Sequence, residues 1–372
     1  MEEYSFQKFI DKGSFSECSL YTKNNKKYVI KKPIKNNNSL FNEIREIMLL
    51  KYLKHDNIIS IYDIIYDNNI INIIYNHYDM NLEVFIQKNK NSYLYDKIFL
   101  KQMILILNHL NSHNIIHGDI KCNNILVSLE NKFNIKLIDF GCSILNNVID
   151  KNTVITTYTT RAPEVFNYDK NYDSKVDIWS AGGVLYNVIT RNNILDPSIH
   201  HDTTDKDKLY SINIFVKNLD KNYLLIEGQK IILKNMLELN KNKRIDINSL
   251  TKLFEKIYNL KIIICNNKKK EIDININYEL DQLNTFIKNR IYDILFPNVI
   301  LGSIIMNKLK KINEFDLVTI WYINFLLSSS DIDIEDCNFV HIINKYFDSK
   351  YYLEDIFRNC IKILSEINYK II

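Results

Sequence analysis

The chain has 372 residues, 46% of them hydrophobic, and its 48 Lys+Arg against 44 Asp+Glu leave a formal charge of +4. That length predicts two domains with a real core in each, and the charge is too mild to argue for a nucleic-acid partner. There is no run of about 18 apolar residues and no signal-peptide pattern at MEEYSFQKF, so a soluble chain with no membrane partner is expected, placed inside the cell. The six cysteines, at 18, 122, 142, 265, 337 and 360, form no CxxC pair, which indicates free thiols rather than a zinc site or a disulfide framework. Heavy use of Asn, Ile, Lys and Tyr reads as the coding bias of an AT-rich genome, such as that of an amoeba, a parasitic protist or a large DNA virus. With only seven Gly in the chain, each marks a place where backbone freedom is needed.

From Tyr4 to about Tyr75, short apolar runs such as SLYTKNNKKYVIKK and INIIY are interrupted by one amphipathic stretch, SLFNEIREIMLLKYLKH. This predicts a small sheet carrying a single helix. From about residue 92 the pattern is helical, beginning with YDKIFLKQMILILNHLNSH, and it breaks into loops between His113 and Glu164. Helices are predicted again at SKVDIWSAGGVLYNVIT and GQKIILKNMLELN. A linker over 259–277, including the polar CNNKKKEIDININ, leads to a helical module at 278–372. There Leu280, Leu283, Ile287, Ile291 and Ile294 share one face, and FDLVTIWYINFLL is apolar all round, as in the centre of a small bundle.

Within the loop region, HNIIHGDIKCNNILV sets Asp119, Lys121 and Asn124 at close spacing. A lone Asp in a loop is an ordinary turn residue, but here the order along the chain adds to it. Lys31 follows the strand-like KKYVI, Glu46 lies in the amphipathic helix, and LIDFG, RAPEV and VDIWSAGG come after the loop. In this order the chain closely resembles the eukaryotic protein kinases, whose signature set is a strand Lys, a helix Glu, a catalytic-loop Asp and Asn, DFG and APE.

The resemblance implies an α+β, bilobal kinase domain over 1–258, with a β-rich lobe at 1–78 and a helical lobe at 79–258. It implies transfer of the ATP γ-phosphate to a protein hydroxyl, a reaction in which the protein positions groups and neutralises charge. Asp119 would act as catalytic base. Lys121 beside it resembles the lysine of serine/threonine kinases, which points to Ser or Thr acceptors. Lys31, paired with Glu46, would hold the α- and β-phosphates, and Asn124 and Asp139 would be the Mg²⁺ ligands, both hard oxygen donors. The nucleotide would also meet the loop of Asp11, Lys12, Gly13, Ser14, Phe15, Ser16 and Cys18 and a hinge at Asn76 to Tyr78, with Tyr75 as gatekeeper. Glu164 is expected to pair with Arg244, Asp177 to brace the catalytic loop, and Thr157 to contact Asp119.

The chain departs from the family pattern in two places. The phosphate-loop glycines fall on Asp11, Gly13 and Ser16, so one glycine survives and a negative charge is added. That loss motivates an alternative reading, a pseudokinase or scaffold that presents the C-terminal module. The second departure is Gly118, where most kinases carry the arginine that receives an activation-loop phosphate.

The strings EIREIMLLKYLKHDNI and YDSKVDIWSAGGVLYNVIT look most like cyclin-dependent kinases, while HGDIK also resembles the vaccinia-related branch. The C-terminal module distantly resembles a cyclin box, although the family's kinase-facing Lys and Glu fall on Ser330 and Cys360; the other reading is an unrelated helical extension. Either form offers a docking site for a regulatory protein. The expected location is cytoplasm or nucleus, in the host cell if the source is viral. Without an arginine at 118, Thr153→Ala should keep most of the phosphotransfer rate, and a loss beyond about tenfold, roughly 1.4 kcal/mol of barrier, contradicts that.

Overall fold

The computed structural model describes residues 3–263 apart from 13–15, 35–45, 48, 51–52, 68–69, 131, 147–156, 170 and 196–202. The helical module expected at 278–372, and the linker beyond 263, lie outside the described residues. The first compact unit of the chain runs to Ile264.

The first lobe is built on five antiparallel strands: β1 (Ser5–Lys12), β2 (Ser16–Lys23), β3 (Lys26–Pro33), β4 (Ile61–Asp67) and β5 (Ile70–Asn76), in the order β1-β2-β3-β5-β4. The β2–β3 turn is two asparagines, Asn24 and Asn25, at φ 51° and 60°. A two-residue turn of the type I′ kind needs left-handed backbone at both positions, and Asn tolerates it better than most other side-chain-bearing residues. One face of the sheet buries Tyr4, Tyr21, Tyr28, Ile30 and Ile74, with the Tyr4 and Tyr28 rings edge to face at 5.6 Å. Glu46, Ile47, Leu49 and Leu50 are helical and buried, consistent with the amphipathic stretch.

The second lobe is mainly helical: α1 (Leu82–Lys88), α2 (Asp96–Ser112), α3 (Pro163–Phe166), α4 (Lys175–Thr190), α5 (Asp205–Asn218), α6 (Glu227–Met236) and α7 (Ile247–Tyr258). α2 buries Phe99, Leu100, Met103, Ile104, Leu107 and Leu110, an i, i+3, i+4 stripe that seats it against α4 and α7. α4 is buried at every residue from Val176 to Thr190. Its Gly182 permits close approach to the end of α6, because a Cβ there would stand 3.0 Å from both Met236 Cβ and Leu237 Cδ2.

The stretch from His113 to Glu164, expected as loops, also contains strands. A three-stranded sheet joins β6 (Met80–Asn81), β8 (Ile125–Ser128) and β9 (Asn134–Leu137), and β7 (Ile115–Ile116) pairs with β10 (Ile144–Leu145). Strands of two to four residues are too short to give a period-2 signal. The sequence pattern also missed α1, α5 and α7. α5 starts at a capping box between Thr204 and Asp207 but buries only Ile212 among its residues, so its apolar stripe is faint. Beyond α7, Ile262 is still buried and its N–H donates to Glu255 Oε1 at 2.8 Å.

The lobes meet at Asn57. Its side-chain amide donates to Gln102 Oε1, Asn134 Oδ1 and the Ile135 carbonyl at 2.9–3.0 Å, while its carbonyl accepts the Leu137 N–H. Among the described residues no helix is long and apolar enough to cross a membrane.

Burial holds His55, His77, His109 and His117 below the ordinary imidazole value of 6.5, His109 at about 4. The unfolded chain therefore takes up protons near pH 6.5 that the folded chain refuses, and stability present above that pH is lost as pH falls. Asp177, whose carboxyl burial pushes up to about 7, acts in the opposite direction, so the His109 part is read by comparison: between pH 7.5 and 5.5 the urea midpoint of His109→Gln should fall less, or rise more, than that of the wild type.

Candidate active site

Lys31, near the end of β3, points its ammonium between two carboxylates from distant parts of the chain. Nζ lies 2.6 Å from Glu46 Oε2 and 2.9 Å from Asp139 Oδ1. Burial alone would favour the neutral amine, but Asp139 and Glu46 outweigh it and hold Lys31 well above its usual range. Lys31 in turn keeps the Asp139 carboxyl below the usual carboxylate range, so Asp139 is ionised. For the more deeply buried Glu46, desolvation wins over the attraction of Lys31 and its pKa is raised.

Asp139 has φ 64°. Left-handed backbone at a residue with a side chain costs on the order of 1–3 kcal/mol and persists where surrounding contacts enforce it. The contacts here begin next door. The Ile138 N–H donates to the Asn124 carbonyl at 2.9 Å, and His117 Nε2 reaches the Ile138 carbonyl at 3.1 Å. His117 Nδ1 accepts the Asp119 N–H at 3.2 Å, which leaves Nε2 as the protonated nitrogen, and the ring stands edge-on to Phe140. The neutral imidazole that this arrangement needs is the form that burial favours.

Asp119 is buried and its two oxygens are shared out among four donors. Oδ1 accepts the Thr157 N–H at 3.0 Å and the Thr157 hydroxyl at 2.8 Å; Oδ2 accepts Asn124 Nδ2 at 2.9 Å and lies 2.7 Å from Lys121 Nζ. Lys121 also donates to Thr157 Oγ1 at 2.9 Å. Asn124 spends its amide nitrogen on Asp119, so its amide oxygen is the atom that could meet a cation.

The backbone of the loop is fixed from α4. Asp177 Oδ2 accepts the His117 N–H at 2.7 Å and Oδ1 the Gly118 N–H at 3.0 Å, so the expected brace is present. Gly118 sits at φ 78°, a conformation that glycine adopts without steric cost. The residue read from sequence as a missing phosphate receptor thus also takes, without steric cost, the backbone turn that the brace holds. At the base of the lobe Arg244, 1% exposed, grips Glu164 with two nitrogens at 2.6 and 2.8 Å and stacks over Trp179.

The fold thus brings Lys31, Glu46, Asp119, Lys121, Asn124 and Asp139 together. Cys18 joins them from β2, where it lies opposite Lys31 in register, and burial pushes its thiol up to about 11. Asp11 and Lys12 end β1, exposed, with Asp11 Oδ1 capping the Lys12 N–H, and Ser16 opens β2; Gly13, Ser14 and Phe15 lie outside the described residues. Asn76 closes β5 opposite Tyr28, and Tyr78 follows it, half-buried. Two members escaped the sequence reading. One is His117, whose signal was the string HGD itself; the other is the Tyr75 hydroxyl, which donates to Glu46 Oε1 at 2.8 Å. Among the described residues no group of three His, Cys, Asp or Glu side chains could hold a metal.

A family profile described as "Protein kinase domain" matches residues 4–258. Among curated proteins the chain is 34% identical over 153 residues to "Cyclin-dependent kinase 1" of Encephalitozoon cuniculi, covering 39% of this chain and 51% of the relative. It is 34% identical over 198 residues to "Calcium-dependent protein kinase 4" of Plasmodium falciparum, covering 50% and 37%. It is 36% identical over 155 residues to "Mitogen-activated protein kinase 11" of Arabidopsis thaliana, covering 40% and 42%. The matched spans are about half, or less, of these relatives' own length.

The Gly118 geometry sets an expectation for stability. Gly118→Ala should lower the unfolding free energy by about 1–2 kcal/mol, the cost of left-handed backbone at an L-residue, as read by chemical denaturation.

Proposed function

The chain belongs to the protein kinase domain family, and on that premise we propose that it is a serine/threonine kinase that transfers the ATP γ-phosphate to a protein hydroxyl. The observation that carries this reading is the Lys31 ammonium bridging Glu46 and Asp139 beside an Asp119 whose carboxylate is held by four donors.

Each group has a task in that reaction. Lys31 is a fixed positive charge for the α- and β-phosphates, and Glu46 keeps it from following Asp139. Asp119 orients the acceptor hydroxyl and takes its proton, while Thr157 and Lys121 fix the direction in which its oxygens point. Lys121 adds a cation where negative charge develops on the transferred group. The ionised Asp139 and the amide oxygen of Asn124 fit Mg²⁺, which prefers few protein oxygens and fills the rest of its shell with phosphate and water. When bound, Mg·ATP supplies the phosphoryl group and neutralises its charge.

Likeness to the Encephalitozoon cyclin-dependent kinase supports a place near that group, as the strings around Glu46 and Asp177 also suggest. We take residues 278–372 as the site for a regulatory protein, cyclin-box-like or not, and the location as intracellular. The second reading, a scaffold, draws on Asp11 at the first glycine position of the phosphate loop. The experiment that separates them is transfer of radiolabelled phosphate to a basic protein by the wild type and by Asp119→Asn. The kinase reading expects the variant to fall on the order of 10²–10⁴-fold, the usual contribution of a positioned base. Equal label in both leaves the scaffold.

A further inference from the structure

Glu46 is 2% exposed and divides its two oxygens between partners from different strands. Oε2 takes Lys31 of β3 and Oε1 takes the Tyr75 hydroxyl of β5, at 2.6 and 2.8 Å. We propose that Tyr75 is a positioning residue, whose hydroxyl fixes the Glu46 carboxylate at the place where it holds Lys31 for the nucleotide phosphates.

Two physical points support it. Lys31 is pulled from the other side by Asp139 at 2.9 Å, so the carboxylate must be held from behind if it is to keep its share of the ammonium. Water cannot substitute for the hydroxyl, because Glu46 is sealed from solvent and a buried carboxylate oxygen left without a donor bears the full loss of solvation. The strand that supplies the hydroxyl is also well fixed. β5 lies between β3 and β4, with Tyr75 in register with Val29 on one side and Ile61 on the other. Burial, followed by the neighbouring Glu46 charge, holds the phenol well above the ordinary tyrosine range, so it remains a donor. Tyr75 thus belongs to the anchoring of Glu46, rather than only bordering the nucleotide as the family resemblance implies.

The inference rests on the kinase reading and is tested with Tyr75→Phe, which keeps the ring and removes only the hydroxyl. A hydrogen bond to a buried charge is worth about tenfold or more in an equilibrium constant. The expected result is a rise of about tenfold in KM for ATP, with the peptide KM unchanged and kcat within about threefold. In a Glu46→Gln background the same change should have little further effect, since Tyr75 acts through that carboxylate.

Denaturation of the four proteins without nucleotide gives a readout independent of activity. The losses in midpoint from Tyr75→Phe and Glu46→Gln should be clearly less than additive. An unchanged KM for ATP, or an equal Tyr75→Phe effect in both backgrounds, overturns the proposal. If the wild type and Asp119→Asn transfer phosphate equally, the kinase reading has failed instead. Titration with a fluorescent ATP analogue and the denaturation cycle then still decide whether Tyr75 and Glu46 are coupled.

Discussion

The catalytic loop is positioned by one buried carboxylate. Asp177 sits in α4, the most enclosed helix of the described lobe, and accepts the N–H groups of His117 and Gly118 from the loop above it. Two hydrogen bonds from adjacent backbone amides fix a peptide plane as well as a position, and they offset part of the burial that pushes the Asp177 carboxyl up to about 7. From there the order passes outward: the His117 ring accepts the Asp119 N–H and donates to the Ile138 carbonyl, which ties the loop to the segment carrying Asp139. A helix that packs tightly enough to need Gly182 against α6 gives this chain of contacts a rigid base.

The other half of the site is held by the sheet. Lys31 and Tyr75 come from neighbouring strands and meet on Glu46, so the ammonium is placed by a carboxylate that is itself held from two sides. The two halves touch at the contact between Lys31 and Asp139, which joins residues 108 positions apart. A fixed cation and a strained aspartate thus face each other across the lobes, each positioned by its own scaffold. Preorganisation of this kind lets charges act on a substrate without reorganising as it reacts.

Much of this was legible in the residues. The strings HGDIKCNN, LIDFG and RAPEV carry their spacing with them, and the alternation in KKYVI marks a strand, so Lys31, Asp119, Asn124 and Asp139 could be named before any fold was known. The roles of all these residues, and of Asp177, Glu164 with Arg244, and Thr157, were legible through the family resemblance that the ordered strings carry. The bond from Tyr75 to Glu46 spans 29 residues between a strand and a helix, and no local pattern encodes it. The left-handed backbone of Gly118 and Asp139 is likewise a product of tertiary contacts. The two-residue strands were missed because they are too short to show a period, and α5 because one buried residue leaves almost no periodicity to read.

Glu164 and Arg244 lie 80 residues apart and join the two ends of a segment that contains α4, α5 and α6. Closing a flexible loop of that length costs roughly 4 kcal/mol of chain entropy, which a bidentate pair cannot recover until α4 and Trp179 have already packed around it. The pair is therefore a clasp that depends on the packing of α4 around it. Once shut, it ties α3 to the residues just before α7. α5, with Ile212 as its one buried side chain, hangs inside the clasped segment and can unravel locally while both ends stay pinned.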